Sequence, residues 1–164
     1  MNTVITIGRQ FGSGGHEIGE RVAEYFGIQC LDKELLTRVA KESGFCEEMI
    51  KSHDERPTNS FLYNLVMDTY SFGYNASSFV DMPISHKVFL AQFDTIKKVA
   101  SEGPCVIVGR CADYALHDFK NSIHLFIYAD EEAKVKRVME RYSLTEDKAK
   151  DMMVKKDKQR QSYY

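Results

Sequence analysis

An α/β fold, with a parallel sheet layered between helices, is predicted by three observations. Short β-branched runs alternate with segments whose apolar residues recur at helical spacing. The later runs are continuously apolar, as strands buried on both faces are. A glycine cluster, Gly12-Ser13-Gly14-Gly15, falls between the first such run and the first helical segment.

Thr3 to Ile7 is β-branched and stops at Gly8, which predicts the first strand. After the glycine cluster, Ile18, Val22 and Phe26 share a helical face that ends at Gly27. Ile28 to Leu31 predicts a short second strand. Asp32 follows as the expected N-cap of a helix reaching about Ser43. Helical stretches are also expected around Glu47 to Ser52 and, from Phe61, Leu62, Leu65, Val66 and Thr69, beyond the turn-like His53 to Ser60. A loop is expected over Phe72 to Asp81.

Phe89, Phe93, Ile96 and Ala100 then place one apolar face on a long helix over 83–102, closed by Gly103. Cys105 to Val108 predicts a buried parallel strand, and Ile123 to Tyr128 another. Asp130 is the expected cap of a helix with Val135, Val138, Met139 and Tyr142 facing inward and Lys134, Arg137 and Arg141 on another face. Ser143-Leu144-Thr145-Glu146 has a capping-box pattern that opens a charged final helix.

With 164 residues the chain fits one domain, 1–164. The expected division is a core over 1–44 and 84–130, a helical insertion over 45–83, and a lid region over 131–164. A net charge of −2 gives no overall basic field for wrapping nucleic acid. Aromatic and basic residues interleave only from Arg160 to Tyr164, so nucleic acid is not an expected partner. The N-terminus turns polar too soon for a signal peptide. No apolar run approaches the roughly 18 residues of a membrane span. Cys30, Cys46, Cys105 and Cys111 are scattered without a CxxC pair, which points to a reducing cytoplasm rather than a zinc or disulfide framework.

The glycine turn carries the chemistry. Amides at a helix start lack intrahelical partners and carry the positive end of the helix dipole, so they suit phosphate. Glycines let the loop curl with positive φ and let phosphate oxygens approach the backbone. The spacing departs from GxxxxGK[ST]. Aligned on Gly14-Gly15, the first glycine is Arg9 and the lysine is Gly15; aligned on Gly15-His16, they are Gln10 and His16. The lysine that would reach the outer phosphates is absent, and Arg9 or His16 could supply the charge instead. A turn that only packs helix against strand is the other reading.

ITIGRQFGSGGHEIGERVAEYFGI, LDKELL, VIVGRCADYAL and HLFIYADEEAKVKRVMERY, spread along nearly the whole chain, resemble the cytidylate kinase-like family of P-loop nucleoside monophosphate kinase relatives. The resemblance implies a three-layer α/β/α P-loop NTPase-like sheet with a helical insertion over the acceptor and a basic lid. It implies ATP and Mg²⁺ as cofactors and a small-molecule nucleotide as substrate. Gly12, Ser13, Gly14 and Gly15, with His16, match the cofactor-binding turn. Asp32 matches the acidic start of the helix after the second strand, where substrate contacts are made, and Arg110 matches the arginine of a Gly-Arg-Asp segment that contacts the acceptor monophosphate; Asp113 is the nearby candidate substrate-binding aspartate. The aspartate of that segment is Cys111 here, with Asp113 two residues on. Arg9, Arg110, Arg137 and Arg141 are the expected catalytic cations, and Lys156-Asp157 approximates the relatives' Arg-Asp lid pair.

Arg110 also leaves the carboxyl end of a parallel strand, where ligands bind in open sheets, and its fork suits phosphate. An arginine paired with a carboxylate is the alternative there, and an N-cap is the alternative for Asp32. Lys156 and Arg160 form a second basic pair at i, i+4. The relatives follow the lid with another strand and helix, which this sequence is expected to lack, leaving an open edge that dimerisation could cover. The function expected is transfer of the ATP γ-phosphoryl to a nucleoside monophosphate or similar acceptor; a non-catalytic nucleotide-binding or regulatory protein is the rival.

Overall fold

Val4–Arg9 forms strand β1 at the heart of a four-stranded parallel sheet in this computed structural model, which describes residues 3–54 and 83–163. The expected helix over Phe61 to Thr69 and the loop over Phe72 to Asp81 lie outside the described residues. Helix α1 (Gly15–Phe26), β2 (Gln29–Leu31), α2 (Lys33–Ser43) and α3 (Glu47–His53) follow β1. After them come α4 (Ile84–Glu102), β3 (Cys105–Val108), a short α5 (Ala112–Ala115), β4 (Ser122–Ile127), α6 (Glu131–Tyr142) and α7 (Glu146–Tyr163). The described strands are ordered β2-β3-β1-β4. β1 therefore has a partner on each side, with Ile5 opposite Val106 and Ile123, and Ile7 opposite Val108 and Leu125.

Alternation along β1 divides the core. Ile5 and Ile7 join Val106, Val108 and Ala23 on the α1 face. Val4, Cys105 and Ile107 pack on the opposite face with Leu35, Val39, Phe93 and Ile96. The three-layer α/β/α class is as expected. So is the apolar face of α4, where Phe89, Phe93, Ile96 and Ala100 are all buried.

Local details differ. Helix α1 buries Gly15, Gly19 and Ala23 rather than Phe26, which is exposed. These small residues let the helix lie close on the sheet: a Cβ at Gly19 would sit 2.8 Å from a Val108 methyl. The sequence predicts a buried β4, yet Ile123, Leu125 and Phe126 are exposed, because β4 stands at the edge of the described sheet with β1 as its one partner among the described strands. Ser143 does not open α7. It takes a left-handed conformation (φ 52°) and closes α6 through its amide on the Met139 carbonyl, so the start of α7 moves to Glu146. Asp32 and Asp130 both stand at N-cap positions, but neither side chain makes a capping hydrogen bond.

Candidate functional site

The glycine turn has the geometry that phosphate binding needs. Gly12 and Gly14 have φ near +80°, and Gly14 is the N-cap of α1. A Cβ at Gly15 would stand 2.5 Å from that of Arg9, so strand end and helix start meet where only glycine fits. Ser13 is buried, its hydroxyl donating to the Gln10 carbonyl at 2.8 Å.

Helices α6 and α7 close on this turn from the side. Arg137 donates to the Gly12 carbonyl at 3.1 Å, and Lys134 to the Gln10 side chain at 3.0 Å. From α7, Asp157 accepts the Phe11 amide at 2.6 Å, while Arg160 donates to the Arg9 carbonyl and lies over the Phe11 ring. Phe11 stacks on Tyr142 and packs into the small α6–α7 core of Val135, Val138, Ala149 and Met153. The turn is thus gripped by side chains far along the chain.

Arg110 is buried, with 4% exposure. Its Nε and Nη2 bond the two oxygens of Asp54 at 2.9 and 3.0 Å, and Nη1 bonds Asp32 at 2.8 Å and the Val108 carbonyl at 3.2 Å. A guanidinium has five N–H donors, so among the described residues one remains for a ligand, and a bidentate grip on phosphate requires a carboxylate to let go. Burial opposes the charge, but Asp54 and Asp32 together raise its pKa above the ordinary arginine value. Gly109, Arg110 and Cys111 take three successive positive φ angles of 80°, 57° and 51°. Such a run is costly for the two non-glycine residues, and the carboxylate clamp holds it in place.

Asp32 is shared. Its other oxygen lies 2.9 Å from Nδ1 of His16, a buried nitrogen in close contact without hydrogen-bond alignment, while His16 Nε2 is 3.4 Å from Glu20. His16 therefore turns toward α2 and along α1.

A cleft of about 580 Å³ joins these pieces. Arg9, Gly12, Gly14, Gly15, His16, Asp32, Arg110, Arg137 and Arg141 all line it, bringing together most of the residues singled out in the sequence. Ser13 lies behind the turn. Asp113 lines a second cleft of about 480 Å³ instead. Seven basic side chains border the first cleft, with Lys33, Lys51 and Arg160 added to those above, against the acidic Glu17, Asp32 and Asp54. Asp54 had no signal in the sequence: it meets Arg110 across 56 residues of chain, from the end of a different helix. Lys33 and Lys51 read as ordinary helix-surface lysines. Among the described residues no group of three or more His, Cys, Asp or Glu is placed to hold a metal ion. No helix among them is long and apolar enough to cross a membrane.

A parallel sheet in this order, with a glycine turn feeding a helix N-terminus under a ring of basic side chains, defines a P-loop-like three-layer fold. The chain matches the cytidylate kinase-like family over residues 4–164, and it belongs to that family. A crystal structure of an uncharacterized protein from Eubacterium ventriosum is similar, at 34% identity and a TM-score of 0.69 over 98% of this chain and 74% of that one. No curated protein matches.

Proposed function

We propose that this protein is a nucleotide-dependent phosphotransferase, moving the γ-phosphoryl of ATP to a nucleoside monophosphate or similar small acceptor. The observation that carries this reading is the cleft itself: seven basic side chains around a glycine turn at a helix N-terminus, in a chain of net charge −2. Phosphoryl transfer needs little covalent chemistry from the protein; it needs positioning and neutralisation of charge on the transferred group. Gly12 to Gly15 would cradle the phosphates with backbone amides. Arg9, Arg137, Arg141 and Arg160 would surround them, with α6 and α7 as the lid. Mg²⁺ is bound mainly by nucleotide phosphates with one or two carboxylates, and Glu17, Asp32 and Asp54 are the carboxylates lining the cleft that would be available to it. The metal would add charge neutralisation there.

A second reading is favoured by the pairing of Arg110 with two carboxylates and by the absent lysine: nucleotide binding without transfer. Calorimetry with ATP and a coupled assay with CMP, dCMP, UMP and AMP separate the two. Binding with turnover on one acceptor supports the transferase. Binding without turnover on any acceptor overturns it and leaves the second reading.

A further inference from the structure

The two carboxylates on Arg110 are not equivalent. Asp32 takes one donor, Nη1, at 2.8 Å, while Asp54 spans Nε and Nη2, the fork that grips phosphate bidentately. A third donor meets the same carboxylate, because Gln92 Nε2 lies 3.4 Å from Asp54 Oδ1. Gln92 is buried in α4, and its Oε1 accepts the Tyr163 hydroxyl at 2.7 Å, which turns its amide nitrogen toward Asp54. Two buried side chains from different elements thus converge on one anion, and that anion lines the cleft of the glycine turn.

Asp54 also stands where the chain can yield. It follows the last residue of α3 with extended backbone (φ −65°, ψ 130°), and its amide reaches the Lys51 carbonyl only at 3.4 Å. Fully buried Ile50 holds α3 itself, so only the final turn needs to move. Asp32, in contrast, opens α2, where its carbonyl accepts the Leu35 amide at 3.2 Å and its second oxygen faces His16. Charge favours an exchange as well. Arg110 between two carboxylates already carries an excess negative charge, and a phosphate monoester brings roughly −1.5 to −2 at pH 7. Entering beside both carboxylates, it would be a third anion on one guanidinium.

We propose that Asp54 is an internal stand-in for a phosphate monoester: the acceptor's phosphate takes its place on Arg110 and Gln92, and the carboxylate swings out into the cleft. The inference rests on the phosphotransferase reading above and deepens it, naming Gln92 as a phosphate donor and Asp54 as the residue that sets which anions enter. A tethered carboxylate competes at an effective concentration of roughly millimolar or more. Monoanions such as acetate offer Arg110 nothing that Asp54 does not already supply. A dianionic phosphate brings more charge than it displaces, and only such a ligand opens the seat.

Thermal unfolding across a titration of inorganic phosphate, with sodium chloride at matched ionic strength as the blank, gives an apparent Kd for each protein. The proteins are the full chain, Asp54→Asn, Arg110→Met and the double variant, with circular dichroism to check that each is folded. Asp54→Asn keeps the shape and removes the competing charge, so it is expected to lower the Kd for phosphate roughly tenfold, or about 1.4 kcal/mol. In the Arg110→Met background the same change is expected to leave the Kd within about twofold. Acetate is expected to leave the parent at the blank. Hydrogen exchange on the parent serves where Asp54→Asn does not fold: saturating phosphate is expected to speed exchange in the last turn of α3.

A Kd for Asp54→Asn equal to or above the parent's overturns the exchange and leaves phosphate binding at the glycine turn standing. So does slower or unchanged hydrogen exchange at the end of α3, because the ligand then binds with the clamp shut. A tightening that persists without Arg110 also overturns it, since the gain is then a general loss of negative charge in the cleft. Acetate that stabilises the parent as phosphate does removes the selection by charge and overturns it too. Phosphate bound by neither parent nor variant overturns the exchange, and ATP calorimetry on the same samples shows whether the phosphotransferase reading falls with it.

Discussion

Replacing Asp54 by asparagine tests the clamp around Arg110 most directly. The substitution keeps the shape and removes the charge that holds two of the guanidinium's four hydrogen bonds. Arginine cannot shed its proton to relieve the loss. Breaking a buried ion pair by removing one partner costs roughly 3–5 kcal/mol. Two features lower that figure here: the Asp54 side chain is 21% exposed, and Asp32 still faces Nη1. A loss of about 2–3 kcal/mol is expected, or roughly 4–12 °C in Tm for a chain of this size. Urea unfolding followed by circular dichroism measures it. The Lys51–Glu47 pair on α3 is the control, since it is exposed on both sides and Glu47→Gln should leave the midpoint unchanged. The double variant Asp54→Asn with Arg110→Met should recover part of the loss, because no buried guanidinium is then left facing a neutral partner, while Asp32 still faces His16. A single variant as stable as the parent, or a double variant whose losses simply add, refutes the clamp.

Gly14→Val places a branched side chain at φ +83°, with its Cβ 2.9 Å from the Arg137 guanidinium, and should abolish ATP binding in calorimetry. Arg137→Ala should leave the fold intact, since the side chain is exposed, and weaken ATP at least tenfold through loss of a charged donor beside the turn. Thiol labelling at pH 8 should modify Cys46 first. Burial pushes the Cys30 and Cys105 thiols up to about 11, leaving on the order of one thiolate in a thousand, and Cys111 is buried. Rapid labelling of Cys105 in the folded protein would contradict its place in the sheet.

Much of this was legible from local pattern. Short β-branched and apolar runs placed all four described strands, and helical spacing placed the long α4, because both signals come from a few neighbouring residues. The two apolar runs at β3 and β4 looked alike, yet β3 is buried and β4 exposed; strand order alone separates them. Short α5 left no signal, being four residues long. Ser143 closes one helix instead of opening the next, a choice made by a single left-handed residue that the motif could not reveal.

The site divides the same way. The turn at Gly12 to Gly15 is visible in the sequence because backbone chemistry needs glycine there whatever surrounds it. Its lost lysine is visible for the same reason. Arg110 shows the opposite case: the sequence allowed a phosphate ligand or a carboxylate partner, and the structure shows two carboxylates, one from α2's cap position and one 56 residues away. Long-range charge pairing depends on which helices the fold brings together, so no local pattern encodes it. The sequence determined where phosphate chemistry is possible; the tertiary structure decided which cations stand around it, and which of them already have partners.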